Sequence, residues 1–254
     1  MNLLILYPHG LGDCILLTPA LREFYKRTGN KTHVATLERF KSAQFFDHCP
    51  YVDKIFYTKD AWLDYPNSHI GFEALKQEWK TFAQEQEFGG VVMPMHSSLR
   101  NKIILNSEAL GIKHLSTFNT EIFTTTEDKE VATQVVKRLV GQNSFGFIQT
   151  DTGLETKNLH KKFGQEWLKK NKGIHHFIEL GENLQAFDYN INVQFEIMRL
   201  ATGVCLPDSV FYHACHAMNK EVDFVYFGRG REIYERVKPL HPVKENVVYK
   251  LEEL

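Results

Sequence analysis

Leu3-Leu4-Ile5-Leu6-Tyr7-Pro8-His9-Gly10-Leu11-Gly12-Asp13 runs from five apolar residues straight into a proline and two glycines. A short continuous apolar run ended by turn residues is the pattern of a strand covered on both faces, as in a parallel sheet. Leu17, Ala20, Leu21 and Phe24 follow at i, i+3, i+4 and i+7 spacing, one face of a helix that stops at Thr28-Gly29-Asn30. Working outward, residues 33–37 and 54–57 read as strands with a helix at 41–48 between them. The stretch 58–87 is polar and aromatic, with Trp62, Tyr65, Phe72, Trp79 and Phe82, and reads as a loop and then a helix near 72–84. Residues 90–95 read as a strand, 100–110 as a helix closing at Gly111, and 128–140 as a helix with Val131, Val135, Val136 and Leu139 on one face.

Gly141-Gln142-Asn143-Ser144 is small and polar and reads as a linker. The alternation then restarts: strands at 145–149, 175–180, 204–206 and 222–227, and helices at 165–170, 193–201 and 210–218. The expected fold class is α/β, with two Rossmann-like domains facing across a cleft, the first at 1–140 and a smaller one at 145–254.

The chain has 254 residues, 43% hydrophobic and 24% charged, and a formal net charge of -1. That composition is globular, and it gives no whole-chain basic footprint for nucleic acid, although a local patch stays open. Four cysteines lack CxxC spacing, no basic segment precedes the first apolar run, and no apolar run approaches the roughly 18 residues of a membrane helix. Reduced thiols and a cytoplasmic monomer, at most peripheral to the inner face of a membrane, are expected.

Open α/β sheets bind ligands outside the carboxyl ends of their strands. Gly10, Gly12 and Asp13 lie at such an end. The glycines admit close backbone approach, and an aspartate at a helix N-terminus stays ionised and able to accept a proton. The bland alternative for Asp13 is a helix cap. Asp208 and Ser209 follow the strand at 204–206, and His213 shares a helical face with Ser209 at i+4, a set suited to hydrogen-bonding sugar or ribose hydroxyls. Here the alternative is a capping aspartate with a core histidine. Lys157, Lys161 and Lys162, and Arg229 and Arg231, follow other strands and could neutralise a diphosphate or simply be solvated. His213, Cys215 and His216 match no zinc spacing, so no metal is expected. Ser97 and Ser98 lack a nucleophile elbow. The absent GxGxxG fingerprint argues against a nicotinamide oxidoreductase.

Four stretches, in order, resemble the ADP-heptose:lipopolysaccharide heptosyltransferase family. Gly10-Leu11-Gly12-Asp13 with Thr18-Pro19-Ala20-Leu21-Arg22 resembles its GxGDxxxxTPALR signature, and Cys49-Pro50-Tyr51-Val52-Asp53-Lys54-Ile55 its NPYVDEV segment. Met95 to Arg100 with Leu110-Gly111-Ile112 resembles the stretch after its fourth strand, and Asp208 to Ala214 with Phe227-Gly228 its D(S/T)GxxHxA…FG motif. Three departures stand out. Val210 replaces a glycine, Lys161-Lys162-Phe163-Gly164 only approximates a KRWP-like stretch, and the chain is shorter, mostly around 179–192.

The resemblance implies a GT-B fold and a metal-independent, cofactor-free inverting transfer. A heptose, or another hexose or pentose, would move from a nucleotide-diphosphate sugar to a hydroxyl of a glycan or lipopolysaccharide-type acceptor. It implies Asp13 as catalytic base, Lys161, Asp208, Ser209, His213 and Arg229 as donor-binding, and Gly10, Gly12, His96 and Arg100 as acceptor-binding, with closure across residues 141–144. Two other readings remain at this point: a phage-type transferase acting on modified DNA or protein, and a non-catalytic nucleotide- or sugar-binding module.

Overall fold

The computed structural model describes residues 2–96, 99–150, 152, 159, 161–185 and 188–250, residues 161 and 162 by their backbone alone. The chain divides into two compact units, Met1–Thr120 and Glu121–Leu254.

The first unit runs β1 (Leu3–Leu6), α1 (Leu11–Thr28), β2 (Thr32–Leu37), β3 (Val52–Thr58), α2 (Ser68–Glu85), β4 (Gly90–Val92) and α3 (Lys102–Ala109). Its sheet is parallel, in the order β3-β2-β1-β4, and all four residues of β1 are buried, as their unbroken apolar run requires. The expected helix at 41–48 is instead a 3-10 turn at Glu38–Ala43. Gln44 takes a left-handed conformation there (φ 54), and Phe45 and Phe46 turn into the core instead of extending a helix.

α1 carries Pro19 in its interior, where the missing N–H leaves the carbonyl of Ile15 without its helical donor. The hydroxyl of Thr18 supplies that donor at 2.8 Å. The Thr-Pro pair of the signature is thus a structural device. Arg22, buried on the same helix, donates to the carbonyls of Asn119 and Thr117 at 2.9 and 3.2 Å and pins the last stretch of the unit.

The second unit runs α4 (Thr126–Val140), β5 (Phe145–Gln149), α5 (Lys161–Lys172), β6 (His176–Leu180), α6 (Ile191–Leu200), β7 (Gly203–Pro207), α7 (Val210–Ala217), β8 (Val222–Tyr226), α8 (Arg231–Val237) and β9 (Glu245–Val248). Its sheet is also parallel, in the order β6-β5-β7-β8-β9. Gly146 and Gly203 pair across β5 and β7, and a Cβ on either would come within 2.5 or 2.7 Å of Leu168. The two glycines make the notch into which Leu168 seats α5.

The division falls after Thr120, not at residues 141–144. α4, expected in the first domain, packs on α6: Asn190 Nδ2 donates to Asp128 at 3.2 Å and Arg138 to Tyr189 at 3.0 Å. Periodicity showed that α4 has an apolar face but not which sheet that face covers. Residues 141–144 are a turn inside the second unit, so they carry no hinge between units.

Candidate functional site

In each unit several of the polar side chains singled out above lie near the point where the sheet order reverses. In the first, β1 lies between β2 and β4, so the crevice at the carboxyl ends of β1 and β4 is the switch point. Asp13 and His96 come from the loops and helix starts that follow these two strands.

Tyr7, fully buried just past β1, donates to the backbone carbonyl of Asp13 at 3.0 Å and accepts from Asn106 Nδ2 at 3.1 Å. The other Nδ2 proton of Asn106 goes to the carbonyl of Leu16 at 3.0 Å. With both amide protons engaged, Asn106 must accept through Oδ1, and His96 Nε2 lies 2.9 Å from that oxygen. His96 therefore carries its proton on Nε2. His9 Nε2 likewise donates to the carbonyl of Pro94 at 2.8 Å, and the two imidazoles stack with centroids 4.3 Å apart.

Asp13 is not a helix cap. Gly10 holds the N-cap position of α1 with no side-chain cap bond, and Asp13 sits in the first turn. Its Oδ1 pairs with Lys102 Nζ of α3 at 2.5 Å. Burial works to raise its carboxyl pKa, yet Lys102, helped by His96 and His9, holds it well below the usual carboxylate range. Burial, and then His9, pushes His96 down to about 4, and burial also lowers His9. Near neutral pH the site thus holds one carboxylate, one ammonium and two neutral imidazoles. No group among the described residues bonds Asp13 Oδ2, and a Cβ on Gly10 would lie 4.0 Å from that oxygen. Gly10 thus borders Oδ2 at ordinary contact distance. Gly12 lies in the same first turn.

His96, expected on the acceptor wall, joins this cluster. Arg100 pairs with Glu108 at 2.6 and 2.9 Å, and Lys102, two residues on, is the cation that reaches Asp13. Ser97, Ser98 and Lys157 lie outside the described residues. His9, Asp13 and His96 place one donor atom each within 4.8 Å of one another, a set of types that could hold a transition metal. Lys102 already supplies positive charge at that carboxylate. Around His213, by contrast, Cys215 is fully buried with its thiol pushed up by desolvation, and its sulfur lies 3.5 Å from Met198.

In the second unit the order reverses between β5 and β7. Ser209, the N-cap of α7, donates its hydroxyl to Gln149 Oε1 at 2.6 Å, bridging the ends of these two strands. It makes no cap bond, so the N–H groups at the start of α7 are not taken by that side chain. Asp208, buried, pairs with Arg229 at 2.6 Å after β8. His213 is buried one turn into α7, edge-on to Tyr212. Lys161 opens α5.

Sequence reasoning missed Lys102, Asn106, Tyr7, His9 and Gln149. Asn106 left a trace, a polar residue on an otherwise apolar helical face. Gln149 left another, the last residue of a predicted strand. Lys102 left none, because nothing local ties α3 to α1.

No family profile and no curated protein matches the chain. Solved structures do. A glycosyl transferase family 9 protein from Veillonella parvula superposes with a TM-score of 0.71 at 12% identity, over 99% of this chain and 86% of that one. Escherichia coli ADP-heptose lps heptosyltransferase II gives 0.65 at 10%, over 98% and 90%. Escherichia coli heptosyltransferase WaaC with ADP-2-deoxy-2-fluoro heptose gives 0.58 at 14%, over 98% and 93%. At such identities the likeness is one of fold, and the fold is that of these glycosyltransferases, as the sequence resemblance led us to expect.

Proposed function

We propose that this protein is an inverting glycosyltransferase that moves a sugar from a nucleotide-diphosphate donor to a hydroxyl of a glycan or lipopolysaccharide-type acceptor. One observation carries the reading: Asp13 is held ionised by Lys102 on one oxygen, with the other oxygen unbonded among the described residues and beside a glycine. A carboxylate so arranged can orient an acceptor hydroxyl and take its proton as the anomeric carbon is attacked. General-base help of this kind contributes roughly 10²–10⁴-fold.

Lys102 keeps the carboxylate charged and fixed, and Tyr7 and Asn106 fix the backbone and His96 around it. Near neutral pH the low basicity of Asp13 suits a proton transfer that comes late, once the acceptor oxygen has bonded to carbon and become acidic. In the second unit, the N–H groups at the start of α7 favour a diphosphate by the helix dipole. Arg229 and Lys161 are the cations assigned to the leaving nucleotide. Ser209, Gln149 and Asp208 are assigned to donor hydroxyls, and His213 supports them from within α7. The reaction so written needs no metal.

The family 9 fold and the heptosyltransferase structures bound to ADP-linked ligands support a nucleotide-sugar donor, and they favour heptose among the sugars to try first. Incubation with ADP-, GDP-, UDP- and CMP-linked sugars, with a thermal-shift readout, tests this. The true donor raises the melting temperature by mass action. A panel in which no nucleotide sugar binds sinks the reading.

A further inference from the structure

The turn before α2 leaves a large apolar side chain exposed while its backbone is tied down by hydrogen bonds. Trp62 is 63% exposed and Leu63 69%. Asp60, buried in the same turn, accepts from the Trp62 backbone N–H at 2.8 Å through Oδ1 and pairs with Arg39 at 3.0 Å through Oδ2. Its own N–H donates to Asp64 at 2.7 Å, and its carbonyl takes the N–H groups of Leu63 and Asp64 at 3.2 and 2.9 Å. Ala61 is fully buried against α2, where a Cβ on Gly71 would come within 2.4 Å of its carbonyl oxygen. Only glycine at 71 lets the turn dock.

A tip that merely tolerates an exposed indole does not need such fastening. This one points along a line of rings toward the site. Trp62 meets Phe72 edge-on at 5.7 Å, Phe72 lies 6.0 Å from His9, and His9 stacks on His96 beside Asp13. An aromatic face with its negative quadrupole attracts the C–H groups of a sugar ring, and a pre-ordered ring gives up little entropy on binding.

We infer that Trp62 is a platform for a sugar ring of the acceptor, at least one residue away from the ring whose hydroxyl faces Asp13. The acceptor class is therefore an oligosaccharide, not a single sugar. This rests on the glycosyl-transfer reading above. Insertion into an anionic membrane is disfavoured by exposed Asp64 in the same turn, whereas Asp60 is buried and paired with Arg39.

The test uses delipidated lipopolysaccharide core oligosaccharide and, separately, the methyl glycoside of its terminal sugar. Trp62 is exposed, so Trp62→Ala and Trp62→Phe should both fold. Trp62→Ala raises the oligosaccharide KM about tenfold or more, with kcat and donor KM nearly unchanged, and Trp62→Phe recovers most of the loss. The methyl glycoside is indifferent to either change. Calorimetric titration of the oligosaccharide gives the same contrast without turnover. If wild type and Trp62→Ala bind it equally, the platform is refuted while transfer can still stand. The platform is refuted in the same way if Trp62→Ala instead loses binding to phosphatidylglycerol vesicles. If wild type neither binds the oligosaccharide nor consumes any nucleotide sugar, both readings fall.

Discussion

Lys102 Nζ lies 2.5 Å from Asp13 Oδ1, and this pair joins the first turn of α3 to the first turn of α1 at the switch point of the sheet. The contact occupies one carboxylate oxygen and opposes the effect of burial on its pKa. In a half-buried site an unpaired carboxylate would drift toward its neutral form.

Replacing Lys102 by Met removes the charge and keeps the stem. Burial, which raises the Asp13 carboxyl, then acts unopposed by its main counter-charge. The acidic limb of the kcat/KM profile, which in wild type lies below the ordinary carboxylate range, should move upward past it. A Lys102→Met profile that overlays wild type would show that the ammonium does not tune Asp13.

His96 makes the folded protein acid-sensitive in a predictable window. Its folded pKa of about 4 lies below the ordinary histidine value near 6.5. Between those pH values the unfolded chain binds a proton that the folded chain refuses, so stability falls as pH drops from about 6.5 toward 4. His96→Gln keeps a donor toward Asn106 and removes that titration. Melting temperature against pH should fall less steeply in the variant across this window, and parallel curves would contradict the assignment.

Arg229 is partly exposed, but Asp208 beneath it is buried. Arg229→Met removes the cation paired with that carboxylate and should cost about 1–3 kcal/mol in urea unfolding. Asp208→Asn in the same background should recover part of the loss, because the buried charge that Arg229 had balanced is gone. Both variants should weaken donor binding. Additive losses in the double variant would mean that the two side chains act independently.

The donor set His9, Asp13 and His96 offers a separate check. With Lys102 supplying the positive charge at Asp13, transfer should proceed at an unchanged rate after removal of divalent ions with EDTA. Loss of activity restored by one added metal, and abolished again in His9→Ala, would assign these three residues to that ion.

The fold was legible because β1 and the strands after it are short apolar runs closed by turn residues, a signal that needs no knowledge of partners. Gly10, Gly12 and Asp13 stood out for the same reason: they lie next to one another at a strand end. What could not be read was anything set by long-range packing. α4 belongs with α6 because of which sheet its apolar face meets. Lys102 reaches Asp13 because α3 lies against α1, 89 positions away in the chain. Gln149 meets Ser209 because β5 and β7, not adjacent in sequence, are neighbours in the sheet. Arg100, named among the acceptor-side residues, pairs with Glu108, and it is Lys102, two places on, that reaches the Asp13 carboxylate.

Asp13 is the residue on which the proposed transfer depends, and the release of nucleoside diphosphate from the donor sugar in the presence of core oligosaccharide tests it most directly. Wild type should turn over the donor identified by thermal shift, and Asp13→Asn should bind that donor with unchanged affinity but transfer about 10²–10⁴-fold more slowly. An Asp13→Asn variant that transfers at the wild-type rate would contradict the assignment of Asp13 as the base.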